Sequence, residues 1–371
     1  MNEQPLSLGH ASRPGAAAAN AAITVGLFFG GRSAEHEISL RSAATLDAAL
    51  RGAGYRVVPI GIERSGAWRH MPPAGIDFPA AVDPAARAVA LAPGRGGQLM
   101  ACEPGDIDAG LPRIDVAFPA LHGPFGEDGR LQGLFETCGV PYAGAGVLGG
   151  AVTMDKALTK RLLLQAGLPV VPYRLHRRGQ GRPTYAWLSE RLGPRLFVKP
   201  ASLGSSIGAN PAHDEASLAF ALDAALEHDD TALVERRIDG RELECGVIEI
   251  RGDRLASVVG EIATTAAHAF YDYEAKYLSR DGAVLDVPAR LDTDTADRVR
   301  ALARESFEVL GCRDLARVDF FLDPQGQLFV NEVNTMPGFT SASLFPRMFE
   351  ASGMPIREQV RHLVESALAR S

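Results

Sequence analysis

Short apolar runs alternate with amphipathic stretches along most of the chain, and their spacing predicts a string of α/β units. From Ile23 the sequence reads ITVGLFFGGRSAEHEISLRSAATLDAALRGAGYRVVPIGI. The pattern predicts a buried strand, a Gly-Gly turn, a helix to about Leu50 and, after a glycine, a second strand. That βαβ unit implies a parallel sheet with a right-handed crossover. A further strand in IDVAFPALHG (114–123) and a helix in GRLQGLFETCG complete an N-terminal α/β domain over 21–144. The glycines of YAGAGVLGG then read as a flexible link, with Thr153 as the N-cap of a helix that Gly167 ends. Strands at 195–200 and 231–235 around a helix near 214–227 predict a smaller α/β domain over 145–237. The third domain, 238–371, opens with strands in RELECGVIEI and RLASVVGEIA, turning at Arg251–Asp253. An aromatic and charged loop (264–287), a helix at 293–309, the hairpin VDFFLDPQGQLFVNEVN (318–334) and an amphipathic helix from Pro355 follow. Residues 1–20, rich in Ala, Pro and Gly, read as a disordered tail. They lack the basic leader and cleavage site of a secretory signal.

Composition narrows the class. Of 371 residues, 46% are apolar, 22% charged and 7% aromatic, enough for sizeable cores in a soluble α/β protein. A net charge of −7 argues against broad nucleic-acid binding, though a few placed lysines can still hold an anion. No run is long and apolar enough to predict a membrane span. Cys102, Cys138, Cys245 and Cys312 are widely spaced, with no CxxC, and read as buried reduced thiols.

Three stretches suggest chemistry. FFGGRSAEHE follows a strand but lacks GxGxxG, so it is not a dinucleotide fingerprint. It does put Glu35 at the strand's C-terminal edge, where open α/β sheets bind ligands; taken alone, Glu35 reads more simply as a cap of the next helix. In FVKPASLGSSIGA, Lys199 ends an apolar strand ahead of a Gly-Ser loop whose backbone N–H groups and hydroxyls suit phosphate. The lysine precedes the glycines, so this is no Walker A loop, and an ordinary hairpin turn is the plainer alternative. The 318–334 hairpin carries Asp319, Glu332 and Asn334 among core residues. A two- or four-residue turn would put all three on one face as hard oxygen ligands for Mg²⁺. A three-residue turn with a bulge at Gly326 would break that parity. Arg317 could instead satisfy the carboxylates as an ion-pair partner.

Taken together, GGRSAEHEISLRSA, LHGPFGEDGRLQG, MDKALTK, VKPASLGSSIG, YDYEAKY, RVDFF and NEVNTMPGFTSASL resemble the D-alanine–D-alanine ligase family of the ATP-grasp superfamily, from residue 23 onward. The resemblance implies a three-domain ATP-grasp architecture with an N-terminal parallel-sheet domain and ATP between the central and C-terminal domains. It assigns Lys156 and Lys199 to the α- and β-phosphates, with Ser206 in the nucleotide loop. Glu235, Arg236, Arg237 and Ile238 match the adenine linker, Phe270 the base, Glu242 the ribose and Lys276 the γ-phosphate. Asp319, Glu332 and Asn334 match the ligands of two Mg²⁺ or Mn²⁺ ions. Glu35 corresponds to the group engaging the first D-alanine, near His122 and in a hydrogen-bonded set with Ser205 and Tyr277. Arg317 and the Gly338 amide match oxyanion stabilisers, and Ser343 and Leu344 the second D-alanine subsite. The implied reaction joins two D-alanines through an acylphosphate to give a peptidoglycan precursor, with the 264–287 loop as lid. The tyrosine of EAKY, Tyr277, favours an amine over D-lactate as nucleophile, although lid packing alone would also explain it. The resemblance further implies a cytoplasmic homodimer joined through the N-terminal domain, with ATP and D-alanine as its small-molecule partners. A D-alanine–D-lactate ligase, another ATP-grasp carboxylate–amine ligase and a non-catalytic nucleotide-binding regulator are the competing readings. The filled phosphate, metal and oxyanion positions count against the last.

Overall fold

The computed structural model describes residues 23–370 except 72–77, 104, 106–107, 109, 205–206 and 265–282. The expected tail, most of the expected lid, and Ser205, Ser206, Phe270, Lys276 and Tyr277 therefore lie outside the described residues.

In the N-terminal sheet, β1 (Thr24–Gly30) pairs in parallel with β2 (Arg56–Ile62) on one side and β6 (Val116–Pro119) on the other. All seven residues of β1 are buried, as a parallel strand covered on both faces requires. Helix α1 (His36–Gly52) is the crossover between β1 and β2. The sheet is not purely parallel: β3 (Trp68–His70), β4 (Arg87–Ala90) and β5 (Met100–Ala101) extend it antiparallel beyond β2. Helix α2 (Arg130–Cys138) follows β6.

The second half of the glycine-rich link is helical. Helix α3 (Val147–Met154) runs through Gly149 and Gly150, and α4 (Lys156–Gln165) follows at once. A Cβ on Gly149 would sit 2.8 Å from the Gly311 carbonyl oxygen, and one on Gly150 2.6 Å from that of Glu127. Close packing, rather than freedom, explains these glycines. Thr153 is inside α3, its hydroxyl bonded to the Gly149 carbonyl, and the true cap is Asp155, which accepts from the amides of Ala157 and Leu158.

The central sheet, in the order β7 (Tyr173–Arg177), β10 (Thr231–Arg236), β8 (Leu196–Pro200) and β9 (Asn210–Ala212), is antiparallel throughout. Leucines of α5 (Tyr185–Leu192) and α6 (Glu215–His228) pack on its Val198 and Val234. The C-terminal sheet has the order β13 (Ala283–Asp286), β12 (Asp253–Thr264), β11 (Arg241–Ile250), β14 (Leu315–Leu322) and β15 (Leu328–Asn334), all antiparallel. Helix α7 (Thr293–Val309) covers it, its Val299, Ala303 and Phe307 packing on Val318, Phe320 and Val330.

Cores cross the boundaries that the sequence suggests. Leu163, Leu168 and Val170 join the C-terminal core, and the Val330 amide bonds the Pro169 carbonyl at 2.8 Å. Helices α8 (Leu344–Ala351) and α9 (Ile356–Ala369) share a core with α1 and β1, so the last two helices bury against the N-terminal domain. Cys138, Cys245 and Cys312 are buried, but Cys102 is exposed just after the short edge strand β5, which corrects the all-buried expectation; all four thiols are free. Among the described residues no helix is long and apolar enough to cross a membrane.

Candidate active site

The β14–β15 hairpin resolves its own register problem. Leu322 pairs with Leu328, and the Asp323 amide bonds the Gln327 carbonyl at 3.0 Å, leaving a three-residue turn with Gly326 at φ 79°. That turn alone would place Asn331 across from Asp319 and send Glu332 into the core. The pairing instead steps by one residue at Asn331, so that Asp319 faces Glu332 and Arg317 faces Asn334. A β-bulge thus undoes what the odd turn would have done. Val318, Phe320, Val330 and Val333 stay inside, and Arg317, Asp319, Glu332 and Asn334 share the other face.

On that face the Arg317 guanidinium forks onto Asp319, with both bonds at 2.7 Å, and also lies 3.1 Å from Glu244. Burial lowers the pKa of Arg317, but Asp319 and Glu244 more than reverse this and hold it well above its ordinary value. Glu244 is a residue that sequence reading passed over. It sits on β11 directly across from Asp319, and its alternation with Glu242 was the available signal. Asp319 therefore has the arginine partner anticipated for it. Glu332 remains 24% exposed, 3.5 Å from the Lys156 ammonium, and the Asn334 amide oxygen accepts from the Met336 amide at 3.0 Å. Two carboxylates and an amide are hard oxygen donors. Among the described residues no cluster of three or more His, Cys, Asp or Glu could hold a metal ion unaided. The donor set thus fits a magnesium-class ion that brings phosphate oxygens with it, and not an all-protein cage.

Behind this face lies a buried relay of charge. Lys199, at the end of β8, has its ammonium 2.9 Å from Glu235 and 3.1 Å from the Asn331 amide oxygen. The other Glu235 oxygen is 2.7 Å from Lys160, whose side chain is 0% exposed. Burial pushes the Glu235 carboxyl up, but the two lysines hold it below the ordinary range. Burial dominates at Lys160 and lowers its pKa in spite of Glu235. Lys160 stands in MDKALTK, and nothing in the sequence alone distinguished it from a surface helix lysine. Asn331 was likewise missed, because a bulge is invisible without the register. Lys156, at the first turn of α4, donates to the Leu203 carbonyl at 2.6 Å and so ties that helix to the 201–209 loop. The strands on either side, β8 and β9, are antiparallel, as the hairpin alternative held, and the Leu203 carbonyl between them takes the Lys156 ammonium.

Arg236, Arg237 and Ile238 leave the end of β10 half-buried, with the Arg236 guanidinium 5.3 Å from the Phe329 ring centre. Glu242 lies across from Phe321 on β14. From the N-terminal side comes Glu35, which makes no side-chain cap for α1. Its carboxylate fills the space beside Gly123, where a Cβ would meet it at 2.7 Å, and it reaches toward Gly204 of the central loop. His122 donates from Nδ1 to the Met336 carbonyl at 3.0 Å, and Glu127 lies 3.9 Å away. Burial lowers the pKa of the ring, but Glu127 and Glu35 outweigh it and leave His122 above its ordinary value. Burial also raises the Glu127 carboxyl. A Cβ on Gly338 would meet the Ser343 hydroxyl at 2.8 Å, and that hydroxyl accepts from the Thr340 amide at 3.1 Å. Leu344 is buried against Ile262 and Met348. These contacts draw Glu35, His122, Lys156, Lys199, Glu235, Arg317, Asp319, Glu332, Asn334, Gly338 and Ser343 around a junction of all three sheets.

Comparison with known proteins agrees on one family. Residues 24–145 match the family described as "D-ala D-ala ligase N-terminus", and residues 162–365 match "D-ala D-ala ligase C-terminus". The chain is 47% identical to D-alanine–D-alanine ligase A of Pseudomonas putida, covering 93% of this chain and 97% of that one. Its structure resembles that of the D-alanine–D-alanine ligase from Coxiella burnetii, with a TM-score of 0.81, 34% identity and 94% coverage of both chains. It also resembles the VanG D-Ala:D-Ser ligase from Enterococcus faecalis, with a TM-score of 0.81, 32% identity and coverage of 93% of this chain and 99% of that one.

Proposed function

The chain belongs to the D-alanine–D-alanine ligase family, and from that premise we propose how its cleft makes D-alanyl-D-alanine, a peptidoglycan precursor, from two D-alanines and ATP. The protein is an ATP-dependent carboxylate–amine ligase. The observation that carries the assignment of roles is the Asn331 bulge, which turns Glu332 and Asn334 to the same face as Asp319 and Arg317 and gives Lys199 an amide partner.

A carboxylate is a poor electrophile, so the first D-alanine must be activated. Its carboxylate oxygen attacks the γ-phosphorus of ATP, the bond to the β-phosphate oxygen breaks, and ADP leaves an acylphosphate. Lys156 and Lys199 lie where they can neutralise phosphate charge, which is most of what such a transfer demands of a protein. Asp319, Glu332 and Asn334 would hold two Mg²⁺ or Mn²⁺ ions that supply further charge neutralisation and orient the phosphates. Glu35 receives the ammonium group of the first D-alanine, and Ser343 and Leu344 position the second. The neutral amine of the second D-alanine attacks the acyl carbon, the C–O bond to phosphate breaks, and the amine loses its proton. Arg317 and the Gly338 amide face the oxygen that gathers charge in this step. Glu244 lies 3.1 Å from the same Arg317 Nε that Asp319 accepts from, and so helps to hold the guanidinium in place. Ser205, Ser206, Phe270, Lys276 and Tyr277 complete the assignment on the strength of their motifs, as do a homodimer joined through the N-terminal domain and a cytoplasmic location.

The test is incubation with ATP, Mg²⁺ and D-alanine, alone or mixed with D-serine or D-lactate, followed by phosphate release and mass identification of the product. D-alanine-dependent phosphate release with a dipeptide of two D-alanines as the main product is expected in every mixture. Absence of D-alanine-dependent release would remove the ligase reading. A mixed amide or ester as the main product would move the second subsite to another substrate.

A further inference from the structure

Ser42 lies in GGRSAEHEISLRSA on the buried face of α1 and has no part in the roles assigned above. Its hydroxyl makes two contacts to other parts of the fold: it is 3.1 Å from His122 Nε2 and accepts from the Phe339 amide at 3.3 Å. His122 Nδ1 faces the Met336 carbonyl at 3.0 Å. A carbonyl can only accept, so Nδ1 carries a proton there. The residues on either side of Pro337–Gly338 are therefore each tied to the N-terminal domain, Met336 through His122 and Phe339 through Ser42. Ser42, His122, Met336 and Phe339 are all buried, so these bonds form away from bulk water, where a missing partner is costly. Ser42 is not needed to seat α1 itself. Ser39, one turn earlier, does that by accepting from the Gly30 amide at 2.7 Å and donating to the Ala120 carbonyl at 2.5 Å.

We infer that Ser42 is a positioning residue for the ligase reaction: with His122 it clamps the 336–339 segment from both sides and so aims the Gly338 amide at the reacting acyl group. This rests on the reading of Gly338 as an oxyanion donor. It also implies that the N-terminal domain, which receives the first D-alanine, sets the geometry of a donor carried by the C-terminal domain.

The test compares Ser42→Ala with Ser39→Ala and the wild-type chain by steady-state kinetics, thermal unfolding and amide hydrogen exchange. In Ser42→Ala, kcat is expected to fall roughly five- to tenfold, the effect of one ordinary hydrogen bond, with the KM for ATP unchanged. Exchange across 336–343 should quicken by more than the accompanying modest fall in Tm explains. Ser39→Ala should lower Tm and leave both kcat and exchange in that segment unaltered. An unchanged kcat with unchanged exchange across 336–343 in Ser42→Ala, or a fall in kcat that merely follows a fall in Tm, overturns the inference. Faster exchange across 336–343 with full activity keeps the clamp but removes Gly338 as the donor it serves, which separates failure of the clamp from failure of the oxyanion reading.

Discussion

Glu235 and Glu332 are both strand-end glutamates beside the same cleft, and their surroundings are opposite. Glu235 is 3% exposed, with one oxygen on Lys160 and the other on Lys199. Glu332 is partly open, with the Lys156 ammonium 3.5 Å away. A carboxylate whose two oxygens are both taken by buried cations acts as structure and holds Lys199 in place. A carboxylate on an open face, aligned with Asp319 and Asn334, is placed to take a ligand. The resemblance put both residues at the nucleotide, and only burial and partners divide their work.

Four substitutions can break or sharpen that contrast. The largest effect is expected from Glu235→Gln, which leaves two buried lysines without their counter-charge; breaking such a pair costs about 3–5 kcal/mol, read from denaturant unfolding. The sign with pH follows from the lowered carboxyl pKa. Stability from Glu235 is complete above the ordinary value of 4.5 and drains away as pH falls through the lower folded value. The gap between wild type and variant should therefore close in acid; a gap that widens there would contradict the relay. Next, Glu332→Gln should cut turnover on the order of 100-fold while moving unfolding free energy by less than about 1 kcal/mol. Near-normal turnover at ordinary Mg²⁺ would return Glu332 to a structural role. Asn331→Ala should raise the KM for ATP about tenfold by taking an oxygen from Lys199, with kcat little changed. Smallest is Asp155→Ala, worth about 1 kcal/mol as a lost helix cap, visible in Tm.

Much of the fold was legible because its signals are local. Continuous apolar runs marked β1 and β14, the helices at 293–309 and from Pro355 appeared where periodicity put them, and the βαβ start predicted the parallel pairing of β1 with β2. The failures share a physical cause, namely that distant neighbours decided them. Gly149 and Gly150 looked like a flexible link, yet they are small because Gly311 and Glu127 press against them. Thr153 had the chemistry of a cap, but Asp155 stood nearer the real helix start. At the site, residue types and motif order pointed to the phosphate lysines and the acidic hairpin. The register could not be read, since a three-residue turn and a bulge cancel and neither leaves a mark in hydrophobicity. Lys160, Glu244 and Ser42 were passed over because each acts on another side chain across the fold.

The central claim is that the face carrying Asp319, Glu332 and Asn334 holds the divalent ions that accompany the nucleotide. Its most direct measurement is the number of Mn²⁺ ions bound per chain in the presence of a non-hydrolysable ATP analogue, counted by electron paramagnetic resonance in the wild type and in Glu332→Gln. Two ions in the wild type and fewer in the variant, with the variant still folded, is the predicted result. Equal occupancy in the two proteins would contradict it.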